Sequence, residues 1–477
     1  MNSVAILIDF GSTFTKVVAV DLSNSQVVGR SQAPSTVLTD VREGLLQALI
    51  ALHERHTLFD RQPSSLDILE NRLVLASSSA AGGLRIVVIG NVPGLTVEAA
   101  NQAALGAGAR IVGSMSFKLS EQAFQEIKSL GPDMVLLTGG TDGGDSATIL
   151  DNTRALAQSP LTVPIIVAGN RLVAGEICEQ LERSGKEVRV AANVMPKSGK
   201  LAVESAREEI RKLFIERITQ AKGLDKLQGI VPVVLPTPMA VLDGVRRGAE
   251  GVEGERGWGD MLVVDVGGAT TDVHSIGYGQ PSGPQIVEQG LPEPYAKRTV
   301  EGDLGIRFNA GTLMDRVGID KFETEFRAVF PEFSISRKEL KTYIEAVRQE
   351  TFRIPRENWQ SAVDACLARI AVNLAVERHV GRKERIITRE GEAWVYYGKD
   401  LSETRTLIGT GGIFIYNSHV HHIFSPVSED RHYQVLRPKS PSVFVDSSYL
   451  LYAVGLLARR YPEVAVQLFQ SYMKPVF

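Results

Sequence analysis

The sequence predicts an α/β protein of two related halves, the first carrying an inserted unit built on a parallel sheet. Three observations predict it. A β-hairpin broken by glycine occurs twice, at residues 9–16 and again at 265–272. Between residues 84 and 195, apolar strand-like runs alternate with helical patterns. The chain of 477 residues has room for about three domains and a sizeable core.

The elements follow in order. VAILIDF, TKVVAVDL and QVVGRSQ are β-rich runs parted by GST and SNS turns, which predicts an antiparallel three-stranded meander. A helical pattern follows over 41–56, then a short strand near 73–76. In the second unit LRIVVIG, DMVLLTG, VPIIVAG and EVRVAAN read as strands, with helical patterns at 97–107, 119–130, 146–157 and 171–183. That alternation predicts a parallel sheet covered by helices. Gly90, Gly139, Gly140, Gly169, Asn170 and Asn193 end those strands, where such sheets open a crevice. Gly and Asn are equally ordinary turn punctuation.

A charged helix is predicted over 200–221. VVLPTPMAVLDGVRRG reads as a strand turning into a helix, and MLVVDVGGATTDVHSIG restarts the opening hairpin pattern. This internal echo points to a duplicated architecture. Residues 301–380 read as mostly helical, 385–390 and 393–397 as strands, and a last helix runs from Asp446, its N-cap, to Arg459. The predicted units are 1–80 (first lobe), 81–225 (inserted α/β unit and long helix), 226–258 (return to the first lobe with a helix), 259–445 (second lobe with a helical insertion) and 446–477 (closing helices).

Composition narrows the function classes. The formal net charge of −3 offers no broad basic face, so neither nucleic acid nor an anionic membrane surface is an expected partner. Two cysteines, Cys178 and Cys366, are too few for a disulfide scaffold or a zinc cluster and suit a reducing cytoplasm. The N-terminus shows no signal-peptide pattern, and no apolar run approaches the ~20 residues of a membrane helix, so a cytoplasmic protein is expected.

The hairpins carry the chemistry. In Asp9-Phe10-Gly11-Ser12-Thr13-Phe14-Thr15-Lys16 an apolar strand delivers an aspartate to a tight turn. Gly11 allows close backbone approach, Ser12 and Thr13 add donors, and such a concave turn holds phosphate oxygens. Lys16 brings a charge to pair with phosphate. Asp9 repels phosphate, so its expected role is to hold a hydrated Mg²⁺. Asp265-Val266-Gly267-Gly268-Ala269-Thr270-Thr271-Asp272 repeats the logic with a second carboxylate at Asp272. Two such turns would grip a triphosphate and act on it by positioning and electrostatics. Either alone is an ordinary tight hairpin; the pair is the specific signal.

With these residues in hand, the chain resembles the actin-like ATPase superfamily, which includes actin, DnaK-type chaperones and sugar kinases. LIDFGSTFTKVVAV and VVDVGGATTDVHSIG resemble its two phosphate motifs, and LPTPMAVLDGV its first connecting helix. LIGTGGIF resembles its adenosine motif, and DSSYLLYAVGLLA its second connecting helix, with Gly455 at a close helix contact. The resemblance implies duplicated RNase H-like lobes that bind ATP and Mg²⁺. Asp9, Asp265 and Asp272 would be catalytic, with Asp9 and Asp265 holding the metal through water. Gly11, Ser12, Thr13, Lys16, Gly267, Gly268, Ala269, Thr270 and Thr271 would hold phosphates, and Gly409, Thr410, Gly411 and Gly412 adenosine. In DnaK-type proteins a glutamate at the start of the first connecting helix positions the attacking water. Thr237 stands there in this chain, which implies slow hydrolysis.

A narrower resemblance spans nearly the full length. SSSAAGGLRIVVIG, LLTGGTDGGD, IIVAGN, AANVMP and TVEGDLGIRFNAG resemble the MutL-type (GlmL) accessory proteins of glutamate mutase operons. That resemblance implies a protein that reactivates or chaperones adenosylcobalamin-dependent mutase subunits, with the inserted unit touching the client. Two other classes stay open on the residues alone: a small-molecule kinase of the same fold, and a non-enzymatic, nucleotide-gated assembly protein.

Four further patterns have bland readings. Residues 272–277 fit the D-x-H-x-x-G pattern of cobalamin domains, but on a returning hairpin arm rather than a strand-to-helix loop. His419, His421 and His422 read as a polar strand or loop rather than a metal site. Glu301 and Asp303 either approach the nucleotide or cap a loop. Lys197-Ser198-Gly199-Lys200 lacks the spacing of a Walker loop.

Overall fold

The computed structural model describes residues 3–476 except 12, 37, 38, 80–83, 219–226, 228, 282–285, 390 and 429–433. The first lobe starts with β1 (Val4–Phe10), β2 (Phe14–Asp21), β3 (Gln26–Pro34), α1 (Val41–His56) and β4 (Leu73–Ser78). β1 is apolar at almost every position because it is covered on both faces. Ile6 and Ile8 face one core and Ala5 and Leu7 another, the alternation a strand imposes. Asp40 caps α1 by accepting from Arg42 N, and the helix ends at Thr57 in a left-handed conformation.

The inserted unit comprises β5 (Arg85–Gly90), α2 (Glu98–Gly106), β6 (Arg110–Ser116), α3 (Glu121–Leu130), β7 (Met134–Leu137), α4 (Ala147–Gln158), β8 (Ile165–Val167), α5 (Ala174–Arg183), β9 (Val188–Val190) and α6 (Glu204–Ile218). Its strands lie in the order β6-β5-β7-β8-β9, every pair parallel, as in doubly wound sheets. β6 was not legible in the sequence: it is a half-buried edge strand whose Gly and Ser residues dilute the apolar run. One face of this sheet shares a continuous core with the first lobe, joining Ile6, Leu45, Val88, Ala103 and Ile210.

The chain returns through β10 (Val233–Pro236) into α7 (Thr237–Glu250), then a two-residue-armed hairpin, β11 (Gly251–Val252) and β12 (Glu255–Arg256). The first-lobe sheet reads β10-β4-β1-β2-β3, with β2 antiparallel to β1 and β3 and the pairs beyond β1 parallel.

The second lobe contains β13 (Met261–Val266), β14 (Thr271–Ile276), β15 (Ile286–Gln289), β16 (Ala296–Glu301), α8 (Ala310–Val317), α9 (Ile319–Val329), α10 (Arg337–Gln349), α11 (Asn358–His379), β17 (Arg382–Thr388), β18 (Gly391–Tyr397), β19 (Thr406–Thr410), α12 (Gly412–Tyr416), α13 (Val420–Ser428), β20 (Ser442–Asp446), α14 (Leu451–Leu457), α15 (Pro462–Tyr472) and β21 (Met473–Pro475). Its main sheet is β16-β14-β13-β19-β20-β21. Reading each lobe from its own first strand, both follow 3-2-1-4-5 with the second strand reversed. That shared order and polarity is the duplicated RNase H-like arrangement of actin-like folds. β15, β17 and β18 form a separate sheet.

Each lobe sends one helix, α7 or α14, into the waist between them. There they cross through glycines: a Cβ on Gly244 would stand 2.4 Å from Leu451 O, and one on Gly455 would stand 1.7 Å from Ala240 O. Around this crossing a third core unites Leu7, Val263, Ile408, Val245 and Val454. Among the described residues no helix is long and apolar enough to cross a membrane.

Candidate functional site

The duplicated strand order places Asp9 and Asp265 at equivalent points, each one residue before the end of its lobe's first strand. Each following turn closes the same way. Gly11 N donates to Phe14 O at 3.1 Å, and Gly267 N donates to Thr270 O at 2.9 Å. The cross-strand partner of Asp9 is Lys16, and that of Asp265 is Asp272. One register position thus holds a cation in one lobe and an acid in the other.

The two aspartates meet opposite environments as a result. Asp9 is buried and satisfied: Lys16 Nζ lies 3.3 Å from Oδ2, while Ser77 Oγ and Thr237 Oγ1 donate to Oδ1 at 3.2 and 2.5 Å. Lys16 Nζ also sits 3.5 Å from the ring centroid of Tyr449, a cation–π contact that spans the two lobes. Asp265 is half-buried, and its Oδ1, which is itself shut off from solvent, has no hydrogen-bond partner among the described residues. Burial first, then the charge of Asp272, pushes its carboxyl up to about 7; Asp446 and Asp9 push the same way and Lys16 opposes. Charges of the first turn, Asp9 and Lys16, thus act on Asp265 of the second.

Such a surplus of acid suits a cation. An unpartnered buried carboxylate oxygen costs free energy until something neutralises it. Among the described residues no three His, Cys, Asp or Glu side chains converge as a direct metal cage. The arrangement therefore fits an ion that keeps its waters and takes ligands from a phosphate, as Mg²⁺ does, rather than an all-protein site.

The second turn is shaped from behind. Ile306 N donates to Gly267 O at 3.2 Å, Arg307 N to Gly268 O at 3.0 Å, and Asn309 Nδ2 to Ala269 O at 2.6 Å. With its carbonyls engaged on that side, the turn leaves the N–H groups of Gly268 and Ala269 without an acceptor among the described residues. Free N–H groups in a turn make an anion cradle. Gly411 opens the space above Asp265: at φ 112° it takes a conformation that favours glycine, and a Cβ there would stand 2.4 Å from Val266 O.

Most predicted residues gather here, but not all face the cleft. Ser12 lies outside the described residues. Gly11 and Thr13 hold the first turn, their carbonyls accepting from Ser35 Oγ and Ser35 N. Thr270 Oγ1 donates to Asp272 at 3.1 Å, whereas Thr271 is buried with its hydroxyl donating to Leu304 O at 2.7 Å, away from the turn. Thr410 Oγ1 donates to Asp446. Gly409 faces the core, where a side chain would strike the rings of Phe414 and Phe424. Gly412 starts the short helix α12 in open space.

Three contributors were missed. Asp446 is buried, accepts from Leu450 N and Leu451 N, and adds negative charge beside Asp265. Its position at the end of the apolar run SVFVD was the available signal, a third copy of the pattern that singled out Asp9 and Asp265. Tyr449, at φ 56°, presents its ring to Lys16. Arg298 binds Asp272 Oδ1 through Nε and Nη2 at 2.8 and 2.5 Å, and nothing local in the sequence points to that pair.

The bland patterns resolve as well. His274 is buried in β14 and held neutral, its pKa pushed down to about 3 by burial, with no face open to a ligand. His419 and His422 pack edge-on against Phe330; His419 lies in a turn, as expected, whereas His421 and His422 belong to α13 rather than to a strand or loop. Glu301 and Asp303 pair with Arg378. Lys197 and Lys200 bridge across a plain turn.

A family model described as MutL protein matches residues 5–473. The curated Protein MutL of Clostridium tetanomorphum is 39% identical over 475 residues, 99% of each chain. Among solved structures, the activator of the 2-hydroxyisocaproyl-CoA dehydratase from Clostridium difficile, with bound ADPNP, is 10% identical and covers 99% of each chain, at a TM-score of 0.32. Gluconate kinase from Lactobacillus acidophilus is 11% identical over 100% of this chain and 93% of its own, at a TM-score of 0.33. At those scores the fold rests on the strand order above.

Proposed function

Because this chain belongs to the MutL protein family, we propose that it is an ATP-binding, slowly hydrolysing accessory protein that reactivates or chaperones an adenosylcobalamin-dependent mutase such as glutamate mutase. The observation that carries the nucleotide reading is the unpartnered Oδ1 of Asp265, in a cleft shared by two glycine turns of equal construction. The client rests on the family.

In this reading Gly268 and Ala269 N–H groups receive phosphate oxygens, Thr270 supports them, and Lys16 pairs with phosphate charge from the other side. Gly411 and Gly412 leave room for the nucleoside. A hydrated Mg²⁺ held through water by Asp9 and Asp265 supplies charge neutralisation at the polyphosphate. Asp272, paired with Arg298, orients water. The hydroxyl of Thr237 is committed to Asp9 and has no basic form with which to activate water, which accounts for slow turnover.

Asp9→Ala is expected to abolish Mg·ATP hydrolysis while the far-ultraviolet circular dichroism spectrum is kept; hydrolysis at the parental rate removes Asp9 from the site. Capture of mutase subunits by the full chain is expected to differ between ATP and ADP. Equal capture with both nucleotides, or none, counts against the accessory role.

A further inference from the structure

Resting on the nucleotide reading above, we propose that Arg298 is the positioning residue that transmits occupancy of the phosphate site to the inserted sheet. Its guanidinium is almost fully buried and is shared between two bodies. Nε and Nη2 donate to Asp272 Oδ1, on the second lobe's phosphate turn. Nη1 donates to Ala109 O at 2.9 Å and Leu105 O at 3.3 Å, at the carboxyl end of α2 in the inserted unit. A cation is favoured at that end of a helix, where carbonyls lack intrahelical donors.

The turn that Arg298 grips is wedged between the lobes. Gly108, at φ 85°, packs on the first lobe: a Cβ there would stand 2.9 Å from Pro236 Cβ. Pro236 precedes Thr237, which donates to Asp9. The 105–110 turn therefore lies one residue from the hydrogen-bond shell of Asp9 and one guanidinium from Asp272. The two attachments differ in kind. α2 and the inserted sheet share a continuous apolar core with the first lobe, so these parts move together. Toward the second lobe the turn's carbonyls accept from the Arg298 guanidinium and Arg110 lies against Gly302, polar contacts that can lengthen or break without repacking a core.

Arg298 thus sits where motion between the lobes, or a change at Asp272, is felt first. A cation drawn into the acidic cleft divides the Asp272 carboxylate between itself and Arg298. The guanidinium then loses part of its counter-charge, and its hold on the α2 carbonyls weakens.

The test is hydrogen–deuterium exchange of the full chain with and without Mg·ATP, with nucleotide binding measured on the same samples. In the parent, amides of the 105–110 turn are expected to exchange about threefold faster with Mg·ATP, as a local opening that becomes more populated. In Arg298→Gln they are expected to exchange faster already and to gain nothing from nucleotide. Should that variant fail to fold, Arg298→Lys keeps a charge beside Asp272, yet one ammonium cannot serve both sides, so the same loss of response is expected. Bound nucleotide without acceleration in the parent overturns the coupling alone, as does acceleration that survives in the variant. A parent that binds no Mg·ATP overturns the coupling together with the nucleotide reading.

Discussion

Asp265→Asn removes the charge at the most electrostatically crowded point of the cleft while keeping the side chain's shape. The rise of the Asp265 pKa from 3.8 to about 7 corresponds to about 4 kcal/mol at about 1.4 kcal/mol per pH unit. The sign follows from proton uptake. Between those two values the folded chain holds a proton that the unfolded chain has lost, so stability falls as pH rises. The loss begins near pH 4, is nearly complete by about pH 7, and stays constant above it. Denaturant unfolding of parent and variant, without nucleotide, should therefore show a gap in favour of Asp265→Asn that widens between about pH 5 and about pH 8 and approaches the size given above. Taking the difference between the two proteins cancels the titration of groups remote from Asp265, leaving that of Asp265 and of the charges coupled to it, Asp272, Lys16, Asp446 and Asp9. Saturating Mg·ATP should narrow the gap at about pH 8, because the parent alone gains a counter-ion for its carboxylate. Parallel curves for the two proteins across that range refute the reasoning.

Two further outcomes are expected. Thr237→Val deletes a donor to the buried Asp9 carboxylate and should cost about 1.5–3 kcal/mol of stability in chemical unfolding, with Ser77 and Lys16 still in place; an unchanged midpoint discounts that bond. His274, held neutral with a pKa of about 3, favours the fold above the unfolded value of 6.5 and loses that contribution as pH falls toward 3. His274→Leu should flatten the acid limb of the thermal midpoint between those values, and an identical limb in the variant assigns the effect elsewhere.

What could be read in advance was local. The aspartate that ends an apolar strand, the glycine after it and the hydroxyls beyond are set by neighbours within eight residues, and β1, β2, β13 and β14 follow that pattern. The helix over 41–56 matched α1 because its cap and periodicity lie in the same stretch. What escaped depends on partners far away in sequence. Arg298 lies in AKRTVE, a charged strand that forms because β14 offers it a ladder and Asp272 a counter-charge. The orientation of Gly409 follows from Phe414 and Phe424 stacking at 4.8 Å beneath it, and that of Thr271 from the carbonyl of Leu304. Sequence spacing brings a residue to the right strand; long-range packing decides which way it faces.

The glycine crossing of α7 and α14 bears on how the lobes are spaced. Here the closest approach is backbone on backbone at Gly244 and Gly455, ringed by the side chains of the third core. A side chain at either glycine would drive the two helix axes apart, and with them the lobes that carry Asp9 and Asp265.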